Sequence, residues 1–215
     1  CDYMVELEFF KSMPEGIRKD AWFLTKVTMT GQERNPETGR YPLLNWDDPA
    51  TNQKHPYWKK NIESSDWVFN YDDGYYETKG ISSASGKTRM IFRYADILLL
   101  YAEAVAYGTK SIDDLAFDCM WRVQERAGVP LISKDVTKEY FQKAVLDERR
   151  WETAGMEHSC MGRFFTMQRH EILHLQKNYR DAAELSLNPN LTLSEEFYYF
   201  PIPDNELLIV PGLKD

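Results

Sequence analysis

The sequence predicts a mainly α fold: a helix hairpin, with long loop excursions that carry short strands. Three observations predict it. Between residues 89 and 178, apolar residues recur at the i, i+4, i+7 spacing of one helix face. Glycines and capping residues punctuate those stripes at helix-length intervals. Residues 31–88 lack this period and are crowded with turn formers and aromatic rings.

The elements follow in chain order. Pro14-Glu15-Gly16 signals a turn after the apolar stretch Tyr3–Phe10, and Ala21–Met29 has strand character. Asn35-Pro36, Thr38-Gly39, Asp47-Asp48-Pro49, Asp72-Asp73-Gly74 and the run from Ser82 to Gly86 break up the next region. So long an irregular stretch inside a compact domain is uncommon, and where it occurs it usually carries function.

Ile91, Ala95, Leu98, Ala102 and Val105 then form one helix face, and Gly108 is placed to end that helix. Within it, Ile97–Tyr107 reads as a buried segment. Ser111 is expected to cap a second helix that runs to Ala127 and stops at Gly128. So short a connection makes the two helices antiparallel neighbours. A third helix begins after Thr137, with Phe141, Ala144, Val145 and Trp151 on its apolar face. A fourth is expected from Arg163 to about Lys177. Residues 179–215 are closing loops, in which Phe197–Pro203 suits a buried extended segment because prolines end it. Residues 1–215 are expected to form a single domain.

The composition is that of a globular chain, with 43% hydrophobic and 28% charged residues, so wholesale disorder is not expected. The formal net charge of −8 repels phosphate backbones and argues against nucleic acid as a partner. No apolar run approaches the roughly 20 residues that cross a bilayer as a helix. The three cysteines, Cys1, Cys119 and Cys160, make no CxxC pair, and buried small hydrophobes are the expected role for them. No signal peptide or lipobox is present, and Cys1 reads as a fragment start rather than a lipidated residue.

Four motifs bear on chemistry. His170-Glu171-Ile172-Leu173-His174 matches H-E-x-x-H, in which two histidines one helical turn apart grip zinc and the glutamate acts as base. Lys177 stands where the extended form of that motif needs Gly. Only Glu184, Glu195 or Glu196 would remain as a third ligand, so two exposed histidines on a helix face are the expectation. Glu148, Glu152 and Glu157, with Arg149, Arg150 and Arg163, form a cluster in which general acid–base work competes with ion pairing between helices. Ion pairing is expected. No G-x-S-x-G, P-loop or G-x-G-x-x-G occurs, so neither a serine nucleophile nor a nucleotide is supported.

The fourth is the aromatic loop. Trp46, Trp58, Tyr57, Trp67 and Tyr71, with Asn45 beside them, suit a sugar ligand, whose C–H faces pack on rings while its hydroxyls take hydrogen bonds. Half or more of these rings are expected to be core residues pinning the loops, with one or two facing ligand.

An ordered set of segments resembles the SusD/RagB family. Glu15-Gly16-Ile17-Arg18-Lys19-Asp20 is similar to its gD-R-D element, with Ile17 departing from the usual form. Tyr75-Tyr76-Glu77-Thr78-Lys79 resembles a short strand ending in Lys. The run from Phe92 to Ala104 resembles its R-Y-A-D-x-L-L-x-Y-A-E-A helix. Arg122 to Gly128 resembles R-x-R-A-G, Glu148 to Glu152 resembles E-R-R-x-E, and Arg163 to Arg169 resembles R-W-F-D-L-x-R with Thr166 in place of Asp. Residues Phe200 to Glu206 resemble F-P-I-P-x-x-E.

The resemblance implies tetratricopeptide-like helix pairs and a non-enzymatic protein of the outer cell surface. Such a protein binds glycan, or in some members peptide, for a SusC-type TonB-dependent transporter. It implies no cofactor, and contact with the membrane only through a lipid anchor on the parent protein. It also implies that His170, Glu171 and His174 are structural. The competing functions are a part that docks only on the transporter and, remotely, a zinc hydrolase. The family's amino-terminal half is not represented in the 215 residues, and part of the ligand platform is expected to come from it.

Overall fold

The computed structural model describes residues 5–28, 32–51, 54–59, 67–70, 75–78, 91–155, 157–175, 180–187, 198, 202–210 and 212. At residues 27, 67–70, 75–78, 157–162 and 184 it describes the backbone alone. The chain divides into two compact units, Cys1–Cys160 and Met161–Asp215.

The first unit begins with two short helices, α1 (Leu7–Ser12) and α2 (Ile17–Trp22). Glu6 caps α1, its carboxylate accepting from the Phe9 N–H at 2.7 Å. This converts the end of the apolar stretch Tyr3–Phe10 into helix, presenting Phe9 and Phe10. Six short strands follow: β1 (Phe23–Leu24), β2 (Lys26–Thr28), β3 (Leu43–Asn45), β4 (Tyr57–Trp58), β5 (Trp67–Asn70) and β6 (Tyr75–Thr78). They pair antiparallel as β1 with β4, β2 with β3 and β5 with β6. The register sets Phe23 opposite Trp58 and Lys26 opposite Asn45.

The helical part consists of α3 (Tyr94–Tyr107), α4 (Asp114–Ala127) and α5 (Lys138–Thr153). Their shared core holds Leu98, Leu99, Ala102, Phe117, Met120, Val123, Phe141 and Val145. Phe117 and Phe141 meet edge to face at 4.9 Å. Gly128 ends α4 in the left-handed conformation (φ 70°), with its N–H on the Glu125 carbonyl and the Val129 N–H on that of Gln124. A Cβ on Gly128 would also stand 3.2 Å from Ile17, so this glycine lets α2 approach the end of α4.

Several expectations are corrected. The cap of α4 is Asp113, which accepts from the Ala116 N–H at 2.8 Å, because Ile112 is held against the core ahead of the helix; Ser111 lies outside it. Ile91 precedes α3 and is exposed, as is half of the Ile97–Tyr107 run. The fourth helix, α6, spans Glu157–Arg169 rather than 163–177. In the closing region, α7 covers Ala182–Leu187 and α8 covers Asp204–Ile209. Of the proline-rich segment, Ile202 is exposed rather than buried and Pro203 caps α8, while 197, 199–201 lie outside the described residues.

Candidate functional site: an aromatic loop on an ion-paired helical frame

The helices are tied together by a buried charge cluster. Glu148 and Glu152, one turn apart on α5, are 1% and 2% exposed. Arg18 of α2 donates to both, at 2.5 and 3.2 Å. Arg93, the residue before α3, donates to Glu152 at 2.7 Å and to Asp96 at 2.8 Å, and Arg126 of α4 reaches Glu152 at 2.6 Å. Arg149 pairs with Glu103 of α3. The expected ion pairing is therefore present, and for Glu148 and Glu152 it includes arginines far along the chain; the Glu157 side chain lies outside the described residues.

Motif positions that look unrelated in sequence thus converge: Arg18 in the first segment, Arg93 and Asp96 in the tyrosine-alanine-aspartate helix, Arg126 beside Gly128. Sequence reasoning missed these partners; the recurrence of Arg within each motif was the available signal. A carboxylate this buried and already bonded to guanidinium has no route to a substrate, so the cluster holds helices rather than performing acid–base chemistry. Burial raises the Glu148 carboxyl above its ordinary value, with Arg18 and Gln124 pulling the other way.

Beside this frame stands an aromatic cluster built on Phe9, Phe10 and Phe23. The Trp58 ring lies 5.2 Å from Phe23 and 6.3 Å from Phe9. Its indole covers Gly155, where a Cβ would fall 2.6 Å from the ring. Gly155 has φ 63°, so both the space and the backbone call for glycine. Trp58 is thus a half-buried ring wedged between α1, β1 and the end of α5. Tyr57, beside it on β4, is half-buried, and burial raises its phenol.

Trp46 sits differently. It follows β3 and is half-buried like Trp58, but its ring meets Phe10, edge to face at 5.7 Å. The loop that carries it is cross-bonded. The Trp46 N–H donates to the Thr25 carbonyl at 2.8 Å, the Thr51 hydroxyl to the Trp46 carbonyl at 2.7 Å, and the Lys54 ammonium to the Asp48 carbonyl at 2.6 Å. Asp48 also accepts from the Ala50 N–H at 2.8 Å. Asn45, next to Trp46, is exposed. A neighbouring turn, closed by Asn35, sets Arg34 4.4 Å from the centroid of the Tyr41 ring. Phe9, Phe10 and Tyr41 were not singled out from sequence; the Phe-Phe pair just after a capping glutamate was the only hint. The Trp67 side chain and all of Tyr71 lie outside the described residues.

The zinc geometry is not formed. Helix α6 ends at Arg169, and Glu171 takes a left-handed backbone with φ 55°. Its N–H and that of Ile172 close on the carbonyls of Gln168 and Met167, as at a helix terminus. His170 and His174 therefore flank a helix end instead of standing one turn apart on a helix face, as the motif requires. His174 Nδ1 is instead 3.0 Å from the Tyr198 hydroxyl.

Comparison with known proteins gives a consistent result. The pattern of the family described as the SusD family matches residues 13–215. A SusD-like protein of Formosa agariphila is 28% identical over 130 residues, which are 59% of this chain and 23% of that protein. The structure of a SusD homolog from Bacteroides thetaiotaomicron superposes with a TM-score of 0.58 at 19% identity, covering 90% of this chain and 39% of the other. The chain thus spans about a quarter of the first relative and about two fifths of the second.

Proposed function

The chain belongs to the SusD family, and from that membership we propose that it serves non-enzymatic capture of glycan at the outer cell surface, for delivery to a SusC-like TonB-dependent transporter. The observation that carries the ligand side is the setting of Trp46. Its ring is half-buried, backed by Phe10 and held on a loop whose backbone is bonded at several points, beside exposed Asn45. A sugar face stacking there meets a ring that loses little freedom on binding, and the amide of exposed Asn45 can bond an edge hydroxyl. Trp58 and Tyr57 support the platform from below in this reading, while Trp67 and Tyr71 extend the same loop region in sequence. Burial of the Glu148 and Glu152 pair supports binding rather than hydrolysis, because glycoside cleavage needs two carboxyls flanking the bond.

The test is affinity for a glycan panel measured on the wild-type chain, Trp46→Ala and Trp58→Ala. Trp46→Ala is expected to weaken binding about tenfold, the equivalent of ~1.4 kcal/mol, at unchanged melting temperature. Trp58→Ala is expected to lower the melting temperature. Unaltered affinity of Trp46→Ala for every glycan bound would remove Trp46 from the site.

A further inference from the structure

Arg18 of α2 is 5% exposed, yet only part of its guanidinium is engaged. Its Nη1 group donates to Glu148 at 2.5 Å and to Glu152 at 3.2 Å. Its Nε and Nη2 groups are buried and reach no acceptor among the described residues, and neither does the buried indole N–H of Trp151 on α5. The guanidinium carbon lies 6.0 Å from the centre of the Trp151 ring, a span that one bound atom can bridge with a hydrogen bond to each side. Buried donors without an acceptor are costly and rare, and where they persist an ion or a water meets them. Nε and Nη2 form an edge of the guanidinium that grips anions with two parallel bonds. All of these groups donate and none accepts, which suits a guest that only accepts. The nearby carboxylates are already engaged: Glu148 by Arg18 and Gln124, Glu152 by Arg18, Arg93 and Arg126. Further positive charge stands close by. Lys19 and Arg150, the chain neighbours of Arg18 and Trp151, lie 4.5 and 5.2 Å from the Phe10 and Phe9 rings, in the aromatic cluster that Trp151 also joins.

We propose that Arg18 and Trp151 together hold a small inorganic anion of halide size inside the first unit, where the ion-paired frame meets the aromatic cluster. The anion takes the Nε and Nη2 hydrogens of Arg18 and the Nε1 hydrogen of Trp151, and so bonds α2 to α5. Its size follows from enclosure. The donors are buried among packed rings, and a larger oxyanion would have to push those rings aside. The inference rests on this donor set and not on glycan binding, so either can fail alone.

The test is thermal melting of the natural polypeptide in sodium bromide against sodium gluconate at equal ionic strength, together with crystals grown in bromide. Each variant is compared with wild type in both salts, which cancels general salt effects on stability. Wild type should gain melting temperature with bromide along a saturating curve, as when a ligand binds the folded state alone. The crystals should show bromide anomalous scattering between Arg18 and Trp151. Trp151→Phe keeps the ring packing and removes the N–H. It should need about tenfold more bromide for the same gain, the loss of one hydrogen bond to a charged group. Arg18→Lys keeps a positive charge for Glu148 and Glu152 but removes the fork, so it should abolish the gain, and it serves in place of Trp151→Phe should that variant fold poorly. An equal bromide response in wild type and the variants, or no anomalous signal at the site, would overturn the proposal and leave the donors to water. A bromide signal with no dependence of melting temperature on bromide would mean an adventitious ion only, and would overturn it as well.

Discussion

Three arginines, from α2, the start of α3 and α4, end on the single carboxylate of Glu152. Such a group is worth little relative to an apolar replacement, but removing the shared carboxylate leaves Arg18 charged and dry, while Arg126 stays largely in solvent. Glu152→Ala should therefore destabilise the chain by about 3–5 kcal/mol in urea unfolding. A loss below about 1 kcal/mol would mean that solvent reaches Arg18 as well as Arg126. Glu148 gives a pH signature. Its carboxyl is raised, so the folded chain holds this proton more tightly than the unfolded chain does. Its contribution is fully present below the unfolded value and is lost as pH rises through the folded value. Glu148→Gln lacks that titration, so its stability relative to wild type should rise as pH climbs above the ordinary carboxylate range of about 4. Urea midpoints from that pH upward check the sign, and a relative fall would contradict it.

At the scale of elements, α4 depends on Asp113, whose one carboxylate caps the helix and takes the Tyr101 hydroxyl. Asp113→Ala should cost about 1 kcal/mol in thermal or chemical melts. The helices were legible because their periodicity and stops are local: Thr137 caps α5 and Gly128 ends α4 as expected. The errors lie where tertiary contact overrides local preference. Ile112 holds to the core and moves the cap from Ser111 to Asp113. Glu171 turns left-handed and ends a helix whose apolar pattern runs on to Leu173 and Leu175. The charge cluster was half legible: its carboxylates stood out, but a partner 130 residues away leaves no periodic trace. The roles of Trp46 and Trp58 could not be separated from sequence either. Their difference comes from Gly155 and Phe9, which meet Trp58 only in the folded chain.

For the molecule as a whole, the ion-paired frame and the proposed ligand platform are carried by different segments. Arg18, Arg93, Asp96, Arg126, Glu148 and Glu152, which lie in the segments that resemble family motifs, hold helices together. The loop around Trp46 lies between these positions, free to vary in ring and amide content without disturbing the cluster. Variation in that loop is then expected to alter ligand choice at constant fold. The measurement that tests the central claim most directly is calorimetric titration of the natural polypeptide with oligosaccharides, followed by analysis of the recovered sugar. Capture without cleavage predicts saturable binding of at least one glycan and its recovery at the original length. Shortened sugar, or no heat with any glycan alongside binding of peptide, would contradict it.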